Sequence, residues 1–140
     1  RPPPLFDSAS MPAIDASGFP ASELVDWRVA LRTVGGDREL LREVVEMFVL
    51  ESPRLMTAIH DAAAQADAAA LLRPAHTLKT SLGYFGIQTG FELALQLEKM
   101  GRANDLTGVA EPLAELERLL AKAIAELDRY RQQIAASPQP

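Results

Sequence analysis

From Ala21 onward the apolar residues recur every three or four positions, the spacing of one buried helix face rather than the alternation of a strand. Ser22 is placed to cap a short first helix carrying Leu24, Val25, Trp27, Val29, Ala30 and Leu31, and Gly35-Gly36 stops it. Asp37 then caps a helix with Leu40, Leu41, Val44, Val45, Phe48, Leu55, Met56 and Ile59 in register. Pro53 falls inside that run and predicts a kink, because the apolar register resumes beyond it. Asp67 caps a third helix that passes through Pro74 and ends at Gly86. A fourth spans residues 88–100 with Ile87, Phe91, Ala94 and Leu97 inward, followed by a polar turn over 101–105. The last covers 107–135, with Val109, Leu113, Leu116, Leu120, Ile124, Leu127 and Ile134 on one side. Four long amphipathic helices with short connections predict an all-α fold over residues 21–136: an antiparallel four-helix bundle with a short extra N-terminal helix. Residues 137–140 are a tail.

The first 20 residues break this pattern. They hold five of the ten prolines, with Ser, Ala and Gly between them, and read as a flexible linker that cannot bury enough apolar surface to order itself. Such a linker, and the lack of an initiator Met, suggest a piece of a longer chain. The remaining 120 residues suffice for one core. A net charge of −5 argues against nucleic acid, which needs a basic excess. With no cysteine there are no disulfides or thiolate metal sites. No apolar run approaches the roughly 20 residues needed to span a bilayer. Cytoplasmic is the default expectation.

The third helix carries the chemistry. With each residue advancing about 100°, Leu71, Ala75, Leu78, Leu82 and Phe85 fall within roughly 40° of the middle of one stripe. His76 lies about 140° from the middle of that stripe, Gly83 about 120° and Lys79 about 80°. One face is greasy; the other offers water a ring nitrogen, an ammonium and a gap in the side-chain cover. Taken alone, His76 and Lys79 could be an inert surface histidine and a solvated lysine. Gly83 changes the balance, since a mid-helix glycine costs about 1 kcal/mol against alanine and its wet position makes tight packing a poor reason for it. The arrangement suits phosphoryl transfer to histidine.

Other chemistry is thin. His60 has no partner at metal-ligand spacing and reads as a surface residue, and no glycine-rich phosphate loop signals an ATP site. Met47, Met56 and Met100 sit at helical spacing and read as packing, and Trp27 as an anchor for the first helix.

His76-Thr77-Leu78-Lys79 with Gly86, Leu97-Glu98 and Gly101-Arg102 resembles the histidine-containing phosphotransfer (HPt) domains of bacterial phosphorelays. The likeness extends upstream through Asp26-Trp27 and Val34-Gly35-Gly36-Asp37, and covers about 110 residues. The resemblance implies that His76 is phosphorylated through Nε2, that Lys79 balances the phosphoryl charge, and that Glu98 hydrogen-bonds the other ring nitrogen from the neighbouring helix. An exposed helix glutamate is an equally good reading of Glu98. It further implies exchange with the aspartate of response-regulator receiver domains, no cofactor on this chain, and Mg²⁺ on the partner. A hybrid sensor kinase is the implied context, a monomer the implied state, and Leu72 and Gly83 part of the docking patch. One position departs: most members have glycine after the motif lysine, and this chain has Thr80. At i+4 from His76 it would narrow access or donate a hydrogen bond to the phosphoryl oxygens, predicting slower or more selective transfer. Two rivals stand beside this reading. One is the dimerising histidine domain of a sensor kinase, although Thr77 stands where those kinases carry an acid. The other is a non-catalytic helical adaptor in which His76 is incidental.

Overall fold

A computed structural model describes Phe19 and residues 21–136, the last three as backbone only. The tail over 137–140, the side chain of Ile134 and the linker over 1–20 lie outside the described residues, Phe19 excepted. Among the described residues there are five helices and no strand: α1 (Trp27–Thr33), α2 (Arg38–Ala64), α3 (Ala68–Tyr84), α4 (Gln88–Arg102) and α5 (Ala110–Ala136).

Three starts are written in aspartate. Asp26 Oδ1 accepts from the amides of Arg28 and Val29 at 3.1 and 3.3 Å, Asp37 Oδ1 from Leu40 at 3.1 Å, and Asp67 Oδ1 from Ala70 at 3.0 Å. Each satisfies amides that a helix leaves unpaired, typically worth about 1 kcal/mol. Ser22 is therefore not the cap of α1. Its hydroxyl accepts from the amides of Leu24 and Val25 in a turn and donates to Glu126, while α1 waits for Asp26. The deciding contact is tertiary: the Asp26 amide donates to the Phe85 carbonyl at 2.9 Å, which fixes the chain where α1 begins.

Both internal prolines are absorbed. α2 runs unbroken through Pro53 and α3 through Pro74. In α2 the buried Ser52 hydroxyl donates to the Phe48 carbonyl one turn back. The fourth helix runs two residues past its predicted end, because Gly101 acts as a contact rather than a stop. A β-carbon there would lie 3.0 Å from the Ala68 carbonyl oxygen and 3.4 Å from Leu72 Cα. The chain turns instead at Asn104, φ 55°, and the last helix starts at Ala110, three residues later than predicted.

The long helices pack in a closed ring, α2 on α3, α3 on α4, α4 on α5 and α5 on α2, with α1 against α2 and α3. Leu71, Ala75, Leu78, Leu82 and Phe85 are all buried, in one core with Leu41, Val45, Phe48 and Ile59 of α2 and Leu116, Leu120 and Leu127 of α5. The apolar period of α2 is wider than the core can cover. Met47, read as packing from its spacing, is 63% exposed, and Leu40 is exposed as well. Gly86, at φ +63°, receives α1 on the end of α3; a β-carbon there would strike Asp26 Cβ at 2.6 Å.

Phe19 is buried, stacked on Trp27 with ring centroids 5.2 Å apart, and Tyr130 of α5 packs against both. The Arg38 guanidinium lies 4.5 Å from the centre of the Phe19 ring. The packed structure thus begins before Ala21. No helix of the described residues is long and apolar enough to cross a membrane.

Candidate functional site

The close crossing at Gly101 brings α4 onto the first half of α3, and with it Glu98 beneath His76. The carboxylate is 2% exposed, yet three cationic or proton-bearing groups converge on it. His76 Nδ1 is 2.7 Å from Oε2, Lys79 Nζ is 2.8 Å from Oε1, and Arg102 Nη2 is 3.2 Å from Oε2. Burial by itself pushes the Glu98 carboxyl up, but hydrogen bonds from Lys79, His76 and Arg102 outweigh it and bring it down to about 2. Glu98 is therefore ionised at neutral pH and can only accept.

That fixes the ring. An acceptor-only carboxylate against Nδ1 requires the proton there, so in the neutral imidazole Nε2 carries the free lone pair. The His76 side chain is 58% exposed, so the nucleophilic edge meets solvent while the opposite edge is held from below. Positive charge arising on the ring would be balanced at once by Glu98.

Lys79 sits differently from the solvated lysine the sequence allowed. Only 18% of its side chain is exposed; the stem is covered and Nζ lies 5.9 Å from the centre of the Phe91 ring. Gly83, expected as a gap on the wet side, is half-buried against Phe91, where a β-carbon would make ordinary contacts at 3.4 and 3.6 Å. The helical wheel placed Gly83 away from the apolar stripe, but α4 covers that flank of α3 too. Thr80 turns its hydroxyl to the His76 carbonyl at 3.2 Å, so the helix backbone already takes the hydrogen bond it could donate. Leu72 is half-buried and lines a cleft beside His76 with Ala69, Arg73 and Arg102. Among the described residues no group of three His, Cys, Asp or Glu could hold a metal.

Two features escaped sequence reasoning. Arg102 was read in a turn; as the last residue of α4 it stands four from Glu98 and pairs with it. The second is an apolar groove of about 340 Å³ between α2 and α3, lined by Val44, Met47, Phe48, Leu55, Thr77 and Tyr84. Its signal was present in Met47 and Tyr84, both too far round their helices to be covered.

Comparison with known proteins bears on this geometry. The family model described as Hpt domain matches residues 43–133. Histidine-containing phosphotransfer protein B (HptB) from Pseudomonas aeruginosa PAO1 superposes with a TM-score of 0.73 at 23% identity, over 81% of this chain and 98% of that one. The HPT domain from the Hpt sensor hybrid histidine kinase from Shewanella gives 0.73 at 22% identity, over 81% and 97%. No curated protein matches the chain. With an exposed histidine carried on α3 and two-thirds of its residues within the match, the chain belongs to the Hpt domain family, the histidine phosphotransfer domains of two-component phosphorelays.

Proposed function

We propose that His76 accepts and donates a phosphoryl group in exchange with the aspartate of response-regulator receiver domains. The observation that carries this is the 2.7 Å contact between His76 Nδ1 and the buried Glu98 carboxylate, which leaves Nε2 of an otherwise exposed ring free to react. The Nε2 lone pair attacks the phosphorus of the receiver's aspartyl phosphate. A P–N bond forms, the acyl P–O bond breaks, and the aspartate leaves as a carboxylate. The ring keeps its Nδ1 proton and gains positive charge, which Glu98 offsets. In the reverse direction the carboxylate attacks and the neutral imidazole departs. The transition state is loose, so positioning and electrostatics supply most of the catalysis.

The antiparallel four-helix arrangement presents the ring, Lys79 sets the local charge, and Thr80 narrows the approach from the following turn. On this reading the chain needs no cofactor, the receiver brings the aspartate and a bound Mg²⁺, and the domain serves a hybrid sensor kinase as a monomer in the cytoplasm. Leu72 and the apolar groove around Met47 and Tyr84 flank the ring on its two sides and suit a transient interface.

The test is to incubate wild type and His76→Gln with a panel of receivers carrying labelled phosphate. Acid-labile label on the wild type alone is expected. Equal labelling of both proteins, or of neither across the panel, overturns the assignment.

A further inference from the structure

Beside His76, toward the start of α3, lies an open cleft of about 440 Å³. Ala69 and Leu72 form an apolar wall, His76 and Glu98 close one end, and Arg73 and Arg102 border it. The two arginines are in different states. Arg102 spends one nitrogen on Glu98 Oε2, the oxygen that also takes His76 Nδ1, and its side chain is 62% exposed. Arg73, three residues before His76 on the same helix, makes no ion pair among the described residues. Lys79, by contrast, lies toward Phe91 with its ammonium on the other carboxylate oxygen. The cleft therefore holds more positive charge than its single carboxylate can neutralise.

The Arg102 bond is the weakest of the three on Glu98. It is the longest, it is shared, and it comes from the most exposed side chain. A phosphoryl group on Nε2 would offer a better site, with up to two negative charges and three oxygens that fit a guanidinium fork. Arg102 Nη2 is no further from Nδ1 than its own bond and the histidine bond laid end to end, and Nε2 lies one imidazole width beyond. Glu98 would not be stranded, because Lys79 and the Nδ1 proton remain on it.

Resting on the reading of His76 as phosphoacceptor, we propose that Arg73 and Arg102 form a clamp for the phosphoryl group once it is on Nε2, Arg102 exchanging Glu98 for a phosphoryl oxygen. The clamp sets the lifetime of the phosphohistidine. Cleavage of the P–N bond passes through a metaphosphate-like transition state, in which charge leaves the phosphoryl oxygens. Cations on those oxygens then stabilise the ground state more than the transition state, and hydrolysis slows. Arg73 and Arg102 are positioning residues in this scheme; the nucleophile is His76.

The experiment needs no receiver. Phosphoramidate phosphorylates imidazole directly: Nε2 attacks phosphorus, the P–N bond of the reagent breaks, and ammonia leaves. Carried out in a His60→Gln background, it leaves a single imidazole to label. Arginine Nε–H resonances and phosphohistidine decay are then followed at neutral pH by NMR, with ³¹P reporting the decay. On phosphorylation the Arg102 and Arg73 Nε–H signals are expected to shift and exchange more slowly. Decay should quicken about two- to fivefold in Arg73→Gln and in Arg102→Gln, the size of one exposed charge pair each, and further in the double variant. Arg102→Lys, which keeps charge without the fork, should fall between. Unmoved arginine signals together with an unchanged lifetime in the double variant overturn the clamp and leave the phosphoacceptor reading intact. A chain that takes no phosphoryl group on His76 overturns both.

Discussion

Gly101 approaches the first turn of α3 so closely that a β-carbon on it would sit 3.0 Å from the carbonyl oxygen of Ala68. Helix propensity favours Gly101→Ala by about 1 kcal/mol. The contact opposes it, because the neighbour is backbone and cannot rotate away. Overpacking of this kind costs typically 1–3 kcal/mol, so the net effect is destabilising. Thermal denaturation is expected to show a lower midpoint for Gly101→Ala. Transfer should slow too, since any retreat of α4 lifts Glu98 away from His76.

Glu98→Gln removes the charge while keeping the shape. The amide can still accept from His76 Nδ1 with its oxygen, but its other end then points a donor at the Lys79 ammonium. A fall in phosphotransfer of about tenfold or more is expected, in line with loss of a group that orients a reactive histidine. Assays with phosphorylated receivers measure it, and an unchanged rate would leave the carboxylate with a packing role only.

The same carboxylate predicts a pH dependence of folding. Its folded value of about 2 lies below the ordinary 4.5, so the stability it contributes is full above the unfolded value and is lost as pH falls toward the folded one. Wild type should lose on the order of 3 kcal/mol between about pH 5 and pH 2 through this group. In denaturant titrations across that window Glu98→Gln should show a shallower loss than wild type.

Thr80 bears on access more than on phosphate binding, its hydroxyl being given to the His76 carbonyl. Thr80→Gly is expected to speed transfer from receivers a few-fold while lowering stability by about 0.5 kcal/mol, the propensity difference. A transfer rate equal to wild type would remove the steric role.

Trp27 is the only tryptophan of the chain, so its fluorescence reports the stacking of Phe19 directly. Phe19→Ala should change the Trp27 emission and destabilise the fold by about 3 kcal/mol, as for other buried phenylalanines. Truncation up to residue 20 should do the same. An unaltered spectrum would mean that Phe19 does not pack on Trp27 in solution.

Much of this architecture was legible in the sequence because α3 is periodic: its stripe from Leu71 to Phe85 is buried throughout and His76 is out. What a single helix cannot state is which flank its neighbour covers. Gly83 looked open until Phe91 of α4 lay against it, and Glu98 divided evenly between surface and site until its three partners came from around it. Caps show the same limit. Ser22 and Asp26 both have the chemistry, and a hydrogen bond to Phe85, 59 residues away in the chain, chose between them. Met47 followed the apolar period and still remained outside, since periodicity counts positions and not the width of the core.

Placing the reactive imidazole on an outward helix surface has a cost and a use. If His76 carries the phosphoryl group as proposed, no wall among the described residues encloses it, and half of the reaction chamber would arrive with the docking protein. On that reading selectivity would reside in the fit of two surfaces, and one carrier could serve several correspondents without any change to its own chemistry.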